Sequence, residues 1–403
     1  MTHKTHLALA GFAATAIAFG PARMGFGLFL PEFRDTFRLT STVAGLIASS
    51  GFLAFLATLP LAAVLNSRLG PRCPVVTGSL SAAIGFATVA LASDAVWLTV
   101  GVVFAGASAG LCWAPFNDAT ERVVSEDARS GVLSTVATGT SVGVAGAALL
   151  ALAVTYDQIA WPASWLAFAV AAALTVAATS AALPAGQTGS DTQGALAGTQ
   201  ALLCRQAVPL YSAALCFGAT NAIYLSFAAD RVVTAGGLPG LPETAAAAVI
   251  FFSYGTVGML GLMTGRIEAA IGLDRLLRAI FSAAALSLVL IALAPTSWPA
   301  VLISSGLHGA ALMAVSAVFS FWSLRLFPGR GTLGFTATLI AVAVGSVVGP
   351  AIAGVLADSI GSEATFLVAG LPALLTALWP STVGNNPGPP RAPGRRRIGY
   401  RIC

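Results

Sequence analysis

The sequence predicts an all-α integral membrane protein built from two six-helix bundles. Three observations lead to this prediction. Of the 403 residues, 57% are hydrophobic and only 9% are charged, whereas a soluble domain carries charge on roughly a quarter of its residues. The apolar residues gather into twelve long runs. The last six runs also repeat features of the first six.

Each run is an expected transmembrane helix, because a span needs about 20 mostly apolar residues and a helix satisfies its own backbone in lipid. The strand-like alternation of a membrane barrel is absent. Lys4 precedes the first run, which continues through Arg23 to Leu30 without a convincing signal-peptide cleavage site, so it is predicted to be the first span. In chain order the predicted spans are residues 7–30, 42–65, 74–92, 97–117, 131–155, 162–183, 206–229, 244–264, 276–294, 299–324, 332–357 and 364–382.

The distribution of basic residues predicts the topology. With a cytoplasmic N-terminus and twelve spans, sixteen of the twenty Lys and Arg residues fall inside, and only Arg34, Arg38 and Arg231 fall outside. An excess of Lys and Arg in cytoplasmic loops is the usual rule for membrane proteins. We therefore predict a multi-pass protein of the cytoplasmic (inner) membrane with both termini in the cytoplasm. The lipid bilayer accounts for the basic composition, so no nucleic-acid partner is predicted.

An internal repeat predicts the domain organisation. In the first and seventh runs, Phe19, Gly20, Arg23, Phe26, Phe29 and Glu32 correspond to Phe217, Gly218, Asn221, Tyr224, Phe227 and Asp230, about 200 residues further on. A parallel repeat of six spans is typical of one large class of transporters. The predicted parts are an N-terminal bundle (1–183), a cytoplasmic linker (184–205), a C-terminal bundle (206–383) and a basic disordered cytoplasmic tail (384–403).

The loop between the second and third runs carries a recognisable motif, Ala63-Val-Leu-Asn-Ser67-Arg68-Leu-Gly70-Pro-Arg72. With the twelve runs and the six-plus-six repeat, this loop resembles the gating motif of the major facilitator superfamily. The resemblance implies two bundles related by a pseudo-twofold axis, with Arg68, Gly70 and Arg72 as gating residues. Ser67 replaces the motif's acid and Ala63 its leading glycine.

A substitute for the missing acid is predicted at the inner end of the fourth run. Asp118 and Glu121 lie there and are expected to pair with Arg68 and Arg72 when the inner side closes; the alternative is that they are solvated charges at a helix end. The strings Gly20-Pro-Ala-Arg-Met-Gly-Phe-Gly and Trp113-Ala-Pro-Phe also resemble a poorly characterised bacterial branch of the superfamily.

Arg23 is the only arginine deep inside an apolar run, since Arg278 lies at the third position of the run 276–294. A charge at this depth costs at least a few kcal/mol unless it is compensated, and no Asp or Glu lies in the middle third of any predicted span. Glu32 lies roughly 13 Å away along the helix axis. Two hypotheses remain open: Arg23 snorkels or bonds to backbone carbonyls, or an anionic substrate compensates it through a bidentate carboxylate or phosphate contact.

The family resemblance also implies that the first, fourth, seventh and tenth runs line a central cavity. The candidate substrate-binding residues on them are Arg23, Phe26, Trp113, Asn221, Tyr224, Ser304 and His308. His308 is the candidate for proton coupling because the ordinary pKa of histidine is about 6.5. The alternative is that His308 is a hydrogen-bonding group.

These observations predict a secondary active transporter that moves a small organic solute, favoured to be an organic anion, by alternating access. The alternatives are efflux of hydrophobic or weakly charged drugs and a membrane receptor without transport. An enzyme is not expected, because no His, Asp or Glu cluster suits catalysis. We also predict no metal or other cofactor, a monomeric state, and a small-molecule substrate, with a proton as a candidate coupling ion.

Overall fold

The structure, a computed structural model, describes residues 3–156, 159–186, 204–327 and 331–379. The predicted linker lies mostly outside these ranges and the predicted tail wholly outside them. Within them, the helices are α1 (His3–Phe19), α2 (Pro21–Leu28), α3 (Leu30–Phe37), α4 (Ser41–Leu69), α5 (Arg72–Ala90), α6 (Ala95–Val123), α7 (Glu126–Tyr156), α8 (Pro162–Ala182), α9 (Val208–Thr234), α10 (Ala245–Gly258), α11 (Thr264–Ile271), α12 (Leu273–Leu293), α13 (Trp298–Leu326), α14 (Gly331–Ile360) and α15 (Ser362–Leu378).

The predicted spans agree closely with these helices. Among the described residues, eleven helical stretches are long and apolar enough to cross a membrane. The twelfth run coincides with α15, which is shorter at 17 residues. The all-α membrane fold is therefore confirmed.

The first predicted span is divided into segments, and the first break lies beside Pro21, where a proline is expected to kink the helix. α1 ends at Phe19, and Gly20 adopts φ −81° and ψ −106° before Pro21 opens α2. Proline lacks a backbone N–H, so it fits at the start of a helix and disturbs its interior. A second break at Phe29 separates α2 from α3. The breaks divide the helix on both sides of Arg23.

The helices pack as two bundles. In the first bundle α5 packs on α6 and α8, α4 on α6, and α1 on α7; in the second, α9 packs on α14, α12 on α13 and α15, and α10 on α13. Between the bundles, α4 packs on α14, α7 on α10, and α2 and α3 on α9.

The buried cores show where the two bundles meet. One core joins both bundles and includes Phe33, Leu39 and Phe227 near the predicted outer ends of their helices. A second core lies only in the C-terminal bundle, and a third, which includes Leu7 and Val124, lies only in the N-terminal bundle. We call the shared end the outer end, following the predicted topology. The bundles are thus joined at the outer end and have separate cores at the inner end.

Candidate functional site

A cavity lies between the bundles at the level of Arg23. Its lining comes from α2, α4, α6 and α9: Ala22, Arg23, Phe26, Gly27, Ala48, Gly51, Phe52, Phe55, Val102, Gly106, Ala109, Leu225 and Ser226. Arg23 is the one charged lining residue, and Ser226 supplies the one hydroxyl. The cavity therefore presents a single cation within an apolar, aromatic wall.

Three phenylalanine rings surround the guanidinium of Arg23. Its Cζ atom lies 4.7 Å from the ring centre of Phe55, 5.5 Å from that of Phe52 and 5.9 Å from that of Phe19. Such cation–π contacts stabilise a charge by about 0.5–2 kcal/mol each. The buried Nε atom has no hydrogen-bond partner in the described chain. The rings therefore compensate part of the charge and leave a donor unused.

Tyr224, Ser304 and His308 form a buried polar cluster in the C-terminal bundle and do not line the cavity. The rings of Tyr224 and His308 stack, with centres 4.1 Å apart. The Tyr224 hydroxyl lies 3.1 Å from the Ser304 Oγ atom, which itself donates to the Ser287 carbonyl at 2.7 Å. Since Ser304 donates its proton to that carbonyl, Tyr224 is the donor to Ser304.

The same reasoning fixes the tautomer of His308. Ser287 Oγ donates to the Ala284 carbonyl at 2.8 Å and lies 2.6 Å from His308 Nδ1. Nδ1 must then carry the proton, and Nε2 keeps a lone pair. Nε2 is buried and has no hydrogen-bond partner within the described ranges.

Asn221 and Trp113 also lie outside the cavity lining. Asn221 is buried and accepts a hydrogen bond from Tyr254 at 3.1 Å. Trp113 packs edge-on against Phe19, with ring centres 6.1 Å apart. Of the seven predicted substrate residues, the structure places Arg23 and Phe26 in the cavity.

The predicted gating residues are not joined across the inner end in this conformation. Asp118 pairs at 2.9 Å with Arg122 of the same helix, and Arg122 also donates to the Gly186 carbonyl. In the described part of the chain, no ion pair links Arg68 or Arg72 to α6. The inner latch remains a prediction for the conformation in which the inner side is closed.

An ion pair that was not predicted joins the bundles at the outer end. Arg34 Nε lies 2.8 Å from Asp230 Oδ1, and the Asp230 side chain is only 7% exposed. Arg34 also donates to Ser41 Oγ at 2.7 Å. Nearby, Asp358 of α14 accepts from the backbone N–H groups of Ser41 and Thr42 at 3.0 and 2.8 Å. We call these contacts the outer gate.

We expect closure of the outer gate to depend on pH through Glu32. It belongs to α3, one Oε atom is buried without a hydrogen-bond partner, and burial, reinforced by Asp35, raises its pKa to about 7. A solvated glutamate has a pKa of about 4.3. The raised pKa means that the closed gate binds the proton and is favoured at low pH. That advantage is lost as the pH rises through 7.

We therefore expect a rise from pH 6 to pH 8 to lower the closed population up to about tenfold. Double electron–electron resonance would measure this population from the distance between spin labels on Ser93→Cys and Thr296→Cys, which lie in exposed outer loops of the two bundles. We call the distance between these two labels the outer distance. Glu32→Gln should remove most of the change. A pH response that persists in Glu32→Gln would contradict the assignment.

Comparison with known proteins agrees with this architecture. The model of the Major Facilitator Superfamily matches residues 9–294. The chain belongs to the major facilitator superfamily. It is therefore a membrane transporter, and the family resemblance read from the loop motif is confirmed. The solved structures that the chain resembles include transporters.

Among curated proteins, the chain is similar to monocarboxylate transporter 13 of Rattus norvegicus, with 33% identity over 123 residues. The match spans 28% of each protein. Among solved structures, it resembles the nucleoside transporter NupG (TM-score 0.75, 13% identity, 94% of this chain and 98% of that one). It also resembles a bacterial homologue of the human lysosomal transporter Spinster, inward-facing and unoccupied (TM-score 0.71, 15% identity, 94% and 96%). At these identities the structural likeness shows the fold alone.

Proposed function

We propose that this transporter moves a small organic anion across the cytoplasmic membrane by alternating access, with Arg23 as the anchor for the anion. The observation that carries the proposal is the buried, unpartnered Nε donor of Arg23 in an otherwise apolar cavity. No described residue forms an ion pair with this guanidinium. An anion would supply both the missing acceptor and the missing charge.

Two further considerations support an anion. The name of the rat relative, monocarboxylate transporter 13, refers to an organic anion. A cationic drug would meet Arg23 as a like charge, which is repulsive in a low-dielectric cavity. Efflux of neutral, hydrophobic drugs is the second candidate, because nearly all of the lining is apolar.

Exchange in proteoliposomes tests the proposal with radiolabelled carboxylates, phosphate esters and neutral drugs. Arg23→Gln should slow anion exchange by at least about 30-fold, because a charge-assisted contact is lost. Arg23→Lys should recover only part of the rate, because lysine lacks the planar fork. Arg278→Gln, which changes a half-exposed arginine outside the cavity, is the control and should exchange normally. Anion exchange at the full rate by Arg23→Gln would contradict the proposal. Transport of neutral drugs that is unchanged in Arg23→Gln, together with no anion exchange by the unmodified protein, would favour the second candidate.

A coupling proton, if one is used, is proposed to bind His308 at Nε2. Nε2 has a free lone pair because the proton of the neutral ring lies on Nδ1, which donates to Ser287 Oγ. In the same vesicles, His308→Gln should keep anion exchange but lose accumulation driven by a pH gradient. Accumulation equal to that of the unmodified protein would remove His308 from the coupling path.

A further inference from the structure

The charge and lining of the cavity point to a narrower class of substrate than an organic anion in general. We propose that the cargo is a monocarboxylate with an apolar body, its carboxylate on Arg23 and its body against the aromatic wall. This inference rests on the proposed function and deepens it. It depends on three properties of the cavity.

The first property is the charge count. Arg23 is the one cation in the lining, and no other lining side chain except Ser226 can form a hydrogen bond. One negative charge is therefore compensated, whereas the second charge of a dicarboxylate or phosphate ester would be buried without a partner. Burying an unpaired charge costs several kcal/mol. The cavity thus selects against dianions.

The second property is the chemistry of the wall beyond the guanidinium. Phe26, Phe52, Val102 and Leu225 supply apolar surface there. A hydroxyl or ammonium group on the substrate body would lose its water without gaining a partner, at about 1–3 kcal/mol for a neutral group and more for a charged one. An apolar body gains about 25 cal/mol for each Å² that it buries. The wall therefore favours apolar bodies over polyols and zwitterions.

The third property is the setting of the guanidinium. The rings of Phe19, Phe52 and Phe55 surround Cζ at 4.7–5.9 Å, while Nε has no acceptor in the described residues. A carboxylate can bond to Nε and one terminal nitrogen together, which is the bidentate geometry that arginine favours.

A series of ligands that share one ring tests the class directly. Purified full-length protein would be titrated with benzoate, benzamide, terephthalate, phenyl phosphate, phenylalanine and 3,5-dihydroxybenzoate, and apparent affinities would be read from thermal unfolding midpoints. We expect benzoate to bind at least about tenfold more tightly than each of the other five. Cyclohexanecarboxylate should bind within about threefold of benzoate, because an apolar body is the requirement.

Variants separate the class of substrate from the proposed function. Arg23→Gln should abolish the preference for benzoate over benzamide, and Arg278→Gln should preserve it. If terephthalate or phenyl phosphate binds as tightly as benzoate through Arg23, the class is wrong but anion transport stands. If no anion in the series shifts the midpoint in an Arg23-dependent way, the proposed function fails as well.

A gain of function provides an independent test of the charge count. Val102 lines the cavity on α6, and Val102→Lys would add a second cation. This variant should bind terephthalate at least about tenfold more tightly than the unmodified protein does. A folded Val102→Lys protein that still binds benzoate but gains no affinity for terephthalate would contradict the charge-count explanation. Val102→Met, a neutral change of similar length, is the matched control and should show no such gain.

Discussion

Gly27→Ala is expected to abolish transport by preventing closure of the outer end. Gly27 of α2 faces the backbone of Leu225 of α9, and an added Cβ would overlap the Leu225 carbonyl oxygen and lie 2.8 Å from its carbonyl carbon. These are backbone atoms within a helix, so no side chain can rotate to make room. Closure would have to separate the helices and forfeit the contacts around them, and packed cores do not deform continuously.

We expect the outer distance of Gly27→Ala to show mainly the open state, with a closed population at least about 100-fold lower. Exchange of substrate should fall in proportion. Gly146→Ala is the matched control, because it adds a methyl group to a helical glycine with no atom within 4 Å. It should transport normally. A Gly27→Ala protein with a short outer distance and normal exchange would show that the contact between α2 and α9 does not control closure.

Gly20→Ala separates closure from folding. Its Cβ would lie 2.6 Å from the Gly143 carbonyl carbon, which belongs to the same bundle. Because α1, α2 and α7 belong to one bundle, we expect their packing to persist when the outer end opens. The variant should therefore lower the thermal unfolding midpoint without selecting the open state. An unfolding midpoint of Gly27→Ala near that of the unmodified protein would confirm that its defect is conformational.

The membrane helices could be predicted from sequence because each lipid-facing helix must be apolar along its whole length. This requirement can be read from each segment by itself, and eleven of the twelve runs have the length and hydropathy of a transmembrane span. The breaks at Gly20 and Phe29 depend on packing between helices as well as on Pro21. The signals that the sequence does carry are Pro21 and Pro31, which lie in the first turns of α2 and α3.

In the candidate site, too, residues that stand out locally could be predicted, whereas residues that matter through packing between helices could not. Arg23 could be found because a lone charge in an apolar run is conspicuous, and Phe26 follows from helical spacing on the same face. Phe52 and Phe55 were missed because phenylalanine is ordinary in a membrane helix, and their value comes from facing Arg23 across the bundle. Tyr254 was missed for the same reason, although it holds Asn221.

The sequence does contain a signal for Asp230. The repeat pairs it with Glu32, and both lie at the outer ends of equivalent helices. The structure shows that the two carboxylates differ: Asp230 pairs with Arg34 across the bundles, while Glu32 is half-buried with one oxygen unpartnered. Burial without a hydrogen-bond partner therefore favours a proton on Glu32 when the gate is closed.

Removing one partner of the outer gate should open it, and the two single variants should differ. Arg34→Gln leaves the Asp230 carboxylate, with a side chain 7% exposed, without its cation. Asp230→Asn leaves Arg34, which is 23% exposed and keeps its bond to Ser41. Breaking a buried pair costs about 3–5 kcal/mol and a surface pair about 0–1. For this partly buried pair we expect about 2 kcal/mol for Arg34→Gln and less for Asp230→Asn.

The outer distance would show this as a closed population about 30-fold lower in Arg34→Gln, since 1.4 kcal/mol corresponds to a factor of ten. The double variant Arg34→Gln/Asp230→Asn buries no unpaired charge and should recover most of the closed state, so the two changes are strongly non-additive. Glu363→Gln is the matched control, because Arg231 and Glu363 pair at 3.3 Å at the same end but within one bundle. It should leave the distance unchanged. Two results would contradict this role of the Arg34–Asp230 pair: effects of the two single substitutions on the closed population that simply add, or an equally large effect of Glu363→Gln. Either result would mean that apolar packing of α2, α4, α9 and α14 closes the outer end alone.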